Sequence, residues 1–182
     1  MKALDEVRHA DLIYICGGDQ NRFMEVVRGN AIHKAIQTAY REGALVAGSS
    51  AGAAMMSQIM ITGDQRKTED YESTYSRVET KNGIYAPGLG LLKNAVIDQH
   101  FIARSRYNRA LTALYDHPGK SVFGIDEGTA LLIDGTHAEV VGVAQVVVFQ
   151  SPESTKAVNE IIGLNNVRMD VYVQGDKFER KK

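Results

Sequence analysis

Residues 45–56, LVAGSSAGAAMM, constrain the fold of this chain more than any other stretch. An apolar run is broken by two serines between glycines and resumes at once, as happens where a buried strand turns sharply into a helix. The five residues 48–52, GSSAG, fit the pattern G-x-S-x-G, in which such a turn lifts the central hydroxyl above the sheet edge. Two interpretations stay open: an ordinary turn, or a nucleophilic Ser50 with Ser49 supporting the backbone.

Short apolar runs alternate with amphipathic stretches along the chain. Residues 10–16 and 44–48 are typical of buried strands, and residues 21–43 carry apolar side chains at helical spacing. The Gly-Asn pair at 29–30 is expected to divide the latter into two helices. Further helices are predicted over 51–61 and 102–115, and further strands, several of them antiparallel, within 95–101, 122–134, 138–150 and 167–178. This alternation indicates an α/β fold with a parallel sheet between helices.

The length of the chain favours a single domain over residues 1–182, and its charge bears on the possible partners. A chain of 182 residues can bury roughly 70% of its unfolded surface without disulfides or metals. The net charge of −1 gives no electrostatic reason to expect nucleic acid or an anionic membrane as a partner. Residues 62–86 are polar, lack a clear period and are predicted to form a surface loop or flap.

The sequence contains one cysteine, Cys16, so neither an internal disulfide nor a cysteine-built zinc site is expected. No apolar run reaches the roughly 18 residues of a membrane-spanning helix. The start of the sequence carries charges where a signal peptide would have its apolar core. These features predict a cytoplasmic protein with no metal and no cofactor.

A nucleophilic serine needs a base, an acid that orients the base, and donors for an oxyanion. Among five histidines, His100 differs because the sequence IDQH places it at the carboxyl end of a predicted strand, where open parallel sheets collect ligands. Asp126 and Glu127 end another predicted strand and supply either an orienting carboxylate or a turn acid. The pair at 17–18, GG, offers N–H groups to an oxyanion or forms a tight turn.

Five blocks of the sequence together resemble the cyanophycinases, which are serine peptidases of the S51 group. The blocks are GGDQ, AGSSAGAAMMS, APGLGLL, IDQHFIARSRYNR and GIDEGTALL. They keep the family's order, and the resemblance runs from about residue 11 to the C-terminus. Five co-linear motifs are far more specific than any one of them.

The resemblance implies a role for each matching residue. Ser50 would be the nucleophile, His100 the general base and Glu127 the acid that orients the imidazole. The backbone N–H groups of Gly18 and Ala51 are the candidates for holding an oxyanion. Six residues are expected to shape the substrate pocket: Gln20, Asp98, Gln99, Arg104, Arg106 and Arg109. Arg104 and Arg106 would point to nearly opposite sides of a regular helix, so two of the three arginines are expected in the pocket.

The fold implied by the resemblance is a three-layer α/β/α sandwich with a mostly parallel sheet. It is similar to the class I glutamine amidotransferase domain and is flavodoxin-like. The family's first strands and helices have no counterpart in this sequence, so one sheet face or edge is expected to be uncovered. The resemblance also implies a homodimer.

The substrate implied by the resemblance is cyanophycin, a poly-aspartate with arginine linked to each β-carboxyl. The family's members release β-Asp-Arg dipeptides from it through a Ser-His-Glu triad and an acyl-enzyme. Two alternatives stay open: an aspartyl dipeptidase of the same group, and a non-catalytic or truncated S51-like protein.

Overall fold

Two parallel strands and the helices between them make up the first part of the fold. The structure is a computed structural model that describes residues 2–68 and 72–180. Its first elements are α1 (Lys2–Arg8), β1 (Leu12–Ile15), α2 (Gln20–Val27), α3 (Ala31–Arg41), β2 (Leu45–Gly48) and α4 (Ala51–Ala54). β1 and β2 pair in parallel, with Ile15 opposite Gly48. The carboxyl ends of both strands therefore lie at the same edge.

Side-chain caps set the starts of the two longer helices in this part. The Asp19 carboxylate accepts hydrogen bonds from the backbone N–H groups of Asn21 and Arg22 at the start of α2. Asn30 caps α3 in the same way. Gly43, with φ of 108°, follows the end of α3. The predicted division of residues 21–43 into two helices is confirmed.

The Ala- and Met-rich helix predicted over 51–61 is wrong beyond Ala54. The chain passes instead through a turn into β3 (Ile59–Gln65), which pairs antiparallel with β4 (Gly83–Pro87). The Ser57 hydroxyl accepts a hydrogen bond from the N–H of Ile97 (3.0 Å), and Gln58 N–H donates to the Leu92 carbonyl (2.7 Å). These tertiary hydrogen bonds replace those that a longer helix would have made.

A four-stranded sheet forms the centre of the molecule. Its order is β12 (Met169–Tyr172), β9 (Val146–Phe149), β6 (Ser121–Ile125) and β5 (Ala95–Gln99), and α5 (Tyr107–Asp116) connects β5 to β6. Val96 and Val122 pack with Phe101 and Leu114 on one face. Ile97 and Phe123, one residue further along each strand, pack with Val140 and Val148 on the other. Both faces of β5 and β6 are therefore buried, because successive side chains of a strand point to opposite faces.

The remaining strands form antiparallel pairs that the sequence predicts only in part. β7 (Thr129–Asp134), β8 (His137–Gly142) and β13 (Lys177–Glu179) form an antiparallel sheet, and β10 (Ser154–Val158) pairs with β11 (Ile161–Asn165). The hairpin β10–β11 falls between the predicted strands and was not expected. Gly135, with φ of 57°, lies in the two-residue turn between β7 and β8.

The sheets are mixed rather than mostly parallel. Within residues 2–68 and 72–180, parallel ladders join β1 to β2 and β5 to β6, whereas the other strand ladders are antiparallel. The tight turns of β7–β8 and β10–β11 can join only antiparallel neighbours, because a parallel pair needs a longer crossover. The α/β class is confirmed in this mixed form.

Strands β3 and β4 extend into both ends of the loop predicted at 62–86. Between them, residues 66–68 and 72–82 contain no helix or strand longer than an isolated bridge. Residues 69–71 of the predicted flap lie outside the described part of the chain. None of the helices found in residues 2–68 and 72–180 has the length and apolar character needed to cross a membrane.

Candidate active site

Ser50 lies where β2 turns abruptly into α4. Its backbone has φ of 51° and ψ of −115°, a conformation that a residue with a side chain rarely adopts. The neighbouring Ser49 turns the other way, and its hydroxyl accepts a hydrogen bond from the N–H of Gly17 (3.1 Å). The predicted supporting role of Ser49 is confirmed, and the strained turn leaves the hydroxyl of Ser50 to make other contacts.

The structure brings Ser50, His100 and Glu127 together. Ser50 Oγ lies 2.9 Å from His100 Nε2, and His100 Nδ1 lies 2.8 Å from Glu127 Oε1. A carboxylate only accepts hydrogen bonds, so Nδ1 carries the proton and Nε2 is left to accept the proton of the hydroxyl. The Glu127 side chain is 58% exposed and that of His100 is 25% exposed, so water reaches the carboxylate more readily than the imidazole.

The pairing of β5 with β6 positions His100 and Glu127. The two strands run in parallel with Gln99 opposite Ile125, so the residues that follow them emerge at the same edge of the sheet. The Phe101 N–H donates to the Ile125 carbonyl (3.3 Å), which continues this contact past His100. His100 itself has φ of 50°, and this turn ends the strand.

Asp126 and Glu127 have separate contacts, which the sequence left undecided. Asp126 Oδ1 accepts hydrogen bonds from the N–H groups of Ile102 (3.1 Å) and Ala103 (3.0 Å). It therefore stabilises the turn that follows His100, whereas Glu127 contacts the imidazole. The sequence signal for this division was the acidic pair itself. Neighbouring residues of an extended chain point in opposite directions, so only one of the two carboxylates could face the imidazole.

The two candidate oxyanion donors belong to segments that adjoin Ser50. Gly18 has φ of 143°, which favours glycine, and a Cβ placed on the preceding Gly17 would lie 3.2 Å from the Cβ of Ser50. Ala51 directly follows Ser50 and is buried as the first residue of α4. Their roles as donors stay predictions.

Gln20 holds two elements together. Its side-chain amide donates to the carbonyls of Ile61 (3.1 Å) and Thr62 (2.7 Å), and the residue is buried. These hydrogen bonds join the start of α2 to β3. The donor end of the amide is thus engaged with backbone rather than left for a substrate.

Three of the six residues expected to shape the pocket are buried together. The exposed fractions are 1% for Asp98 and 2% each for Arg106 and Arg109. Arg109 contacts both carboxylate oxygens of Asp98, one of them through Nε at 2.8 Å, and Arg106 Nη1 lies 3.5 Å from Oδ1. The arginine side chains thus neutralise a buried carboxylate, as a buried charge requires.

The helical reasoning about the arginines fails because residues 102–106 are not helical. α5 begins at Tyr107, after a series of turns. Arg104 is the exposed arginine of the three, while Arg106 and Arg109 point into the protein. Of the expected pocket arginines, Arg104 is therefore the one whose side chain solvent can reach.

A cavity of about 880 Å³ borders the site. Ser50, Gln99, His100 and Glu127 line its polar end. The rest is mainly apolar and runs between β2 and β7, past Leu45, Ala47, Leu131 and Ile133. Among the residues that the structure describes, no group of three His, Cys, Asp or Glu side chains is arranged to hold a metal ion.

The sequence matches a protein family and several curated relatives. The model of Peptidase family S51 matches residues 1–141. The chain is 32% identical over 175 residues to a protein named cyanophycinase from Trichormus variabilis, covering 91% of this chain and 56% of that protein. It is 30% identical over 183 residues to the cyanophycinase of Geminocystis herdmanii, covering 96% of this chain and 64% of the relative. The chain therefore spans about three fifths of the length of these curated relatives.

The fold resembles that of a solved structure described as a peptidase from an acI-B1 Actinobacterium. The TM-score is 0.67 at 23% sequence identity, and the match covers 98% of this chain and 63% of the other. At this identity the likeness concerns the fold alone. The family match rests on the sequence, and by that match over residues 1–141 the chain belongs to peptidase family S51.

Proposed function

We propose that this chain carries the site of a serine exopeptidase that hydrolyses cyanophycin to β-Asp-Arg dipeptides. The observation that carries the proposal is the hydrogen-bonded series Ser50–His100–Glu127, at 2.9 and 2.8 Å. It is supported by membership of family S51 and by the similarity to proteins named cyanophycinase.

In the proposed mechanism, His100 takes the proton of Ser50 as the hydroxyl attacks the scissile carbonyl. It then returns the proton to the leaving amine, so that an acyl-enzyme remains for water to hydrolyse. Glu127 keeps the proton on Nδ1 and stabilises the imidazolium that forms. The N–H groups of Gly18 and Ala51 would hold the oxyanion, and each such donor contributes on the order of 3–4 kcal/mol.

Substrate recognition is proposed to use the groups that solvent can reach. Gln99 lines the cavity beside Ser50, and Arg104 is exposed in the turn after His100. An arginine can bind a carboxylate of the polymer in bidentate fashion. Gln20, Asp98, Arg106 and Arg109 would shape this region from behind, through the contacts given above.

We propose that the described elements belong to a three-layer α/β/α sandwich of the flavodoxin-like kind, supported by the helices beside β1 and β2. We propose a homodimer, supported by exposed apolar side chains on β1 and β2 such as Leu12 and Leu45. A cytoplasmic location is supported by the free and exposed thiol of Cys16, since such thiols persist in reducing compartments.

Replacing the proposed nucleophile tests the function. Ser50→Ala is expected to lower the release of β-Asp-Arg from cyanophycin by at least about 1000-fold, because the alanine cannot form the acyl-enzyme. The release is measured by mass spectrometry on purified protein. Ser49→Ala is the matched control, and it is expected to retain far more activity than Ser50→Ala.

Three outcomes would contradict the proposal. Near-parent activity of Ser50→Ala would remove Ser50 from the chemistry. Turnover of Asp-X dipeptides without turnover of cyanophycin would favour the aspartyl dipeptidase. A folded parent protein that hydrolyses neither substrate and is not labelled at Ser50 by a fluorophosphonate would favour a non-catalytic role.

A further inference from the structure

Behind the proposed site lies a buried arginine that contacts the end of the strand preceding His100. The side chain of Arg106 is 2% exposed at the start of α5. Its Nη1 donates to the backbone carbonyl of Gln99 and to Gln99 Oε1 (2.8 Å), and its Nε donates to the Ser73 carbonyl (3.1 Å). One guanidinium thus connects the end of β5 with the segment 72–75.

The contact with the Gln99 carbonyl bears directly on His100. That carbonyl belongs to the peptide group between Gln99 and His100. Arg106 therefore holds the peptide plane that precedes the Cα of His100. The peptide plane that follows, between His100 and Phe101, is held by two hydrogen bonds. The His100 carbonyl accepts from the Arg104 N–H (3.0 Å), and the Phe101 N–H donates to the Ile125 carbonyl (3.3 Å). Both peptide planes that flank His100 are therefore tethered.

His100 needs such support because its backbone conformation is unfavourable. A φ of 50° in a residue with a side chain costs on the order of 1–3 kcal/mol. This conformation breaks the strand and directs the imidazole toward Ser50 and Glu127. Without the tether on the Gln99 side, the chain can relax toward an ordinary extended conformation, which would turn the imidazole away.

The same arginine orients the Gln99 side chain. A guanidinium has donors and no acceptor, so the Gln99 atom that faces it is the oxygen and the amide nitrogen lies at the other end. Asp98, whose Oδ1 accepts from the Gln99 N–H (2.9 Å), adds a third contact to this residue. Gln99 therefore has both its backbone and its side chain fixed.

The segment 72–75 packs on the same turn. The Thr74 hydroxyl donates to the Ser105 carbonyl (2.8 Å), and the Asn108 amide donates to the Tyr75 carbonyl (2.8 Å). Tyr75 is 1% exposed, and burial raises the pKa of its hydroxyl to about 12. Arg106 is thus enclosed between the segment and β5.

We propose that Arg106 is a positioning residue that holds the backbone of His100 in the conformation that bonds its imidazole to Ser50 and Glu127. This inference rests on the proposed function for the role of His100 in turnover. It predicts that Arg106 acts on catalysis through His100 rather than by contact with the substrate.

Two variants and two readouts test the proposal. In Arg106→Ala, kcat for cyanophycin is expected to fall about 100-fold, as for a misplacement of about 1 Å, with KM changed much less. The strongly deshielded Nδ1 proton of an imidazole bonded to a carboxylate is followed by NMR, and it should disappear. Added guanidinium should restore part of kcat and part of the NMR signal, because it can occupy the space left by the Arg106 side chain. Arg104→Ala, in the same turn, is the control for the NMR signal and should retain it.

Arg106→Lys keeps the positive charge and serves if the alanine variant does not fold. A single ammonium cannot reproduce the planar fork that reaches both Gln99 and Ser73, so a loss of kcat and a weakened Nδ1 signal are expected. A folded variant of either kind that keeps the parent signal and the parent kcat would overturn the proposal, as would a rise in KM with kcat unchanged. If the parent itself is inactive, the proposed function fails, and the NMR signal alone still decides whether Arg106 positions His100.

Discussion

Close backbone contacts explain both glycines that flank Ser50 in the sequence. A Cβ at position 52 would lie 2.2 Å from the carbonyl oxygen of Ile15, and one at position 48 would lie 2.4 Å from the carbonyl carbon of Gly52. Both distances are far below van der Waals contact. β1, β2 and α4 can meet at Ser50 because neither position carries a side chain.

Gly52→Ala is therefore expected to destabilise the protein by about 1–3 kcal/mol, the usual cost of overpacking a tight site. It should also lower hydrolysis, because α4 and Ser50 must move away from β1. Urea unfolding measures the stability. Gly163→Ala is the matched control, since the nearest atoms there belong to the flexible Lys156 side chain, and its effect should stay within about 0.5 kcal/mol. Equal stability of the two variants would contradict the packing argument.

At the scale of an element, the carboxyl end of α5 holds a polar cluster against β4. The Tyr85 hydroxyl donates to Asp116 Oδ2 (2.8 Å). The Tyr85 and His117 rings pack edge to face, with their centroids 4.3 Å apart. Burial raises the pKa of Asp116 and lowers the pKa of His117, although the neighbouring Asp116 charge acts on His117 in the opposite direction. Burial and the Asp116 charge also raise the pKa of Tyr85. Folding thus favours the neutral form of His117.

The lowered pKa of His117 gives stability a pH dependence of known sign. The contribution of His117 to the free energy of unfolding is complete above its ordinary pKa of 6.5. It is lost as the pH falls from there through the folded-state pKa, because the unfolded chain binds the proton first. His117→Gln should flatten the fall in unfolding free energy between about pH 7 and pH 5, measured by urea titrations. The exposed His137 is the control, and His137→Gln should leave the slope unchanged. An unchanged slope in His117→Gln would refute the assignment.

At the scale of the whole molecule, one side of the β1–β2 sheet is exposed and apolar. Leu12 and Tyr14 on β1 are 58% and 59% exposed, and Leu45 on β2 is 52% exposed. With Leu132 of β7, Tyr14 and Leu45 border the apolar part of the cavity beside the proposed site. The other side of this sheet packs on α2 and α3 through Ile15, Met24 and Ile36. Exposed apolar area of this kind favours association.

The proposed homodimer predicts association that depends on this side of the sheet. Leu12→Lys, on β1 and 58% exposed, should shift sedimentation-velocity profiles toward the monomer, because a charge is costly to bury. Val158→Lys, on the separate hairpin β10–β11 and 62% exposed, is the matched control and should leave the profiles unchanged. A parent protein that stays monomeric at all concentrations, or equal association of both variants, would refute the prediction.

The sequence alone determined the positions where the chain turns at the site. GSSAG after an apolar run, the Gly-Asn pair at 29–30 between two helical stretches, and the placement of His100 and Glu127 after β5 and β6 all depend on local chemistry and strand periodicity. Local signals of this kind can be read from neighbouring residues, so the elements that carry the proposed triad could be predicted.

Which side chains face solvent and which are buried depends on packing between distant parts of the chain. Asp98, Arg106 and Arg109 have the charges expected of a substrate pocket, yet the turn at 102–106 directs the two arginines inward onto the carboxylate. The early end of α4 has the same origin, because the distant partners Leu92 and Ile97 supply the hydrogen bonds to Gln58 and Ser57. Contacts between residues far apart in the chain leave no local pattern, because they form only when the whole chain has folded.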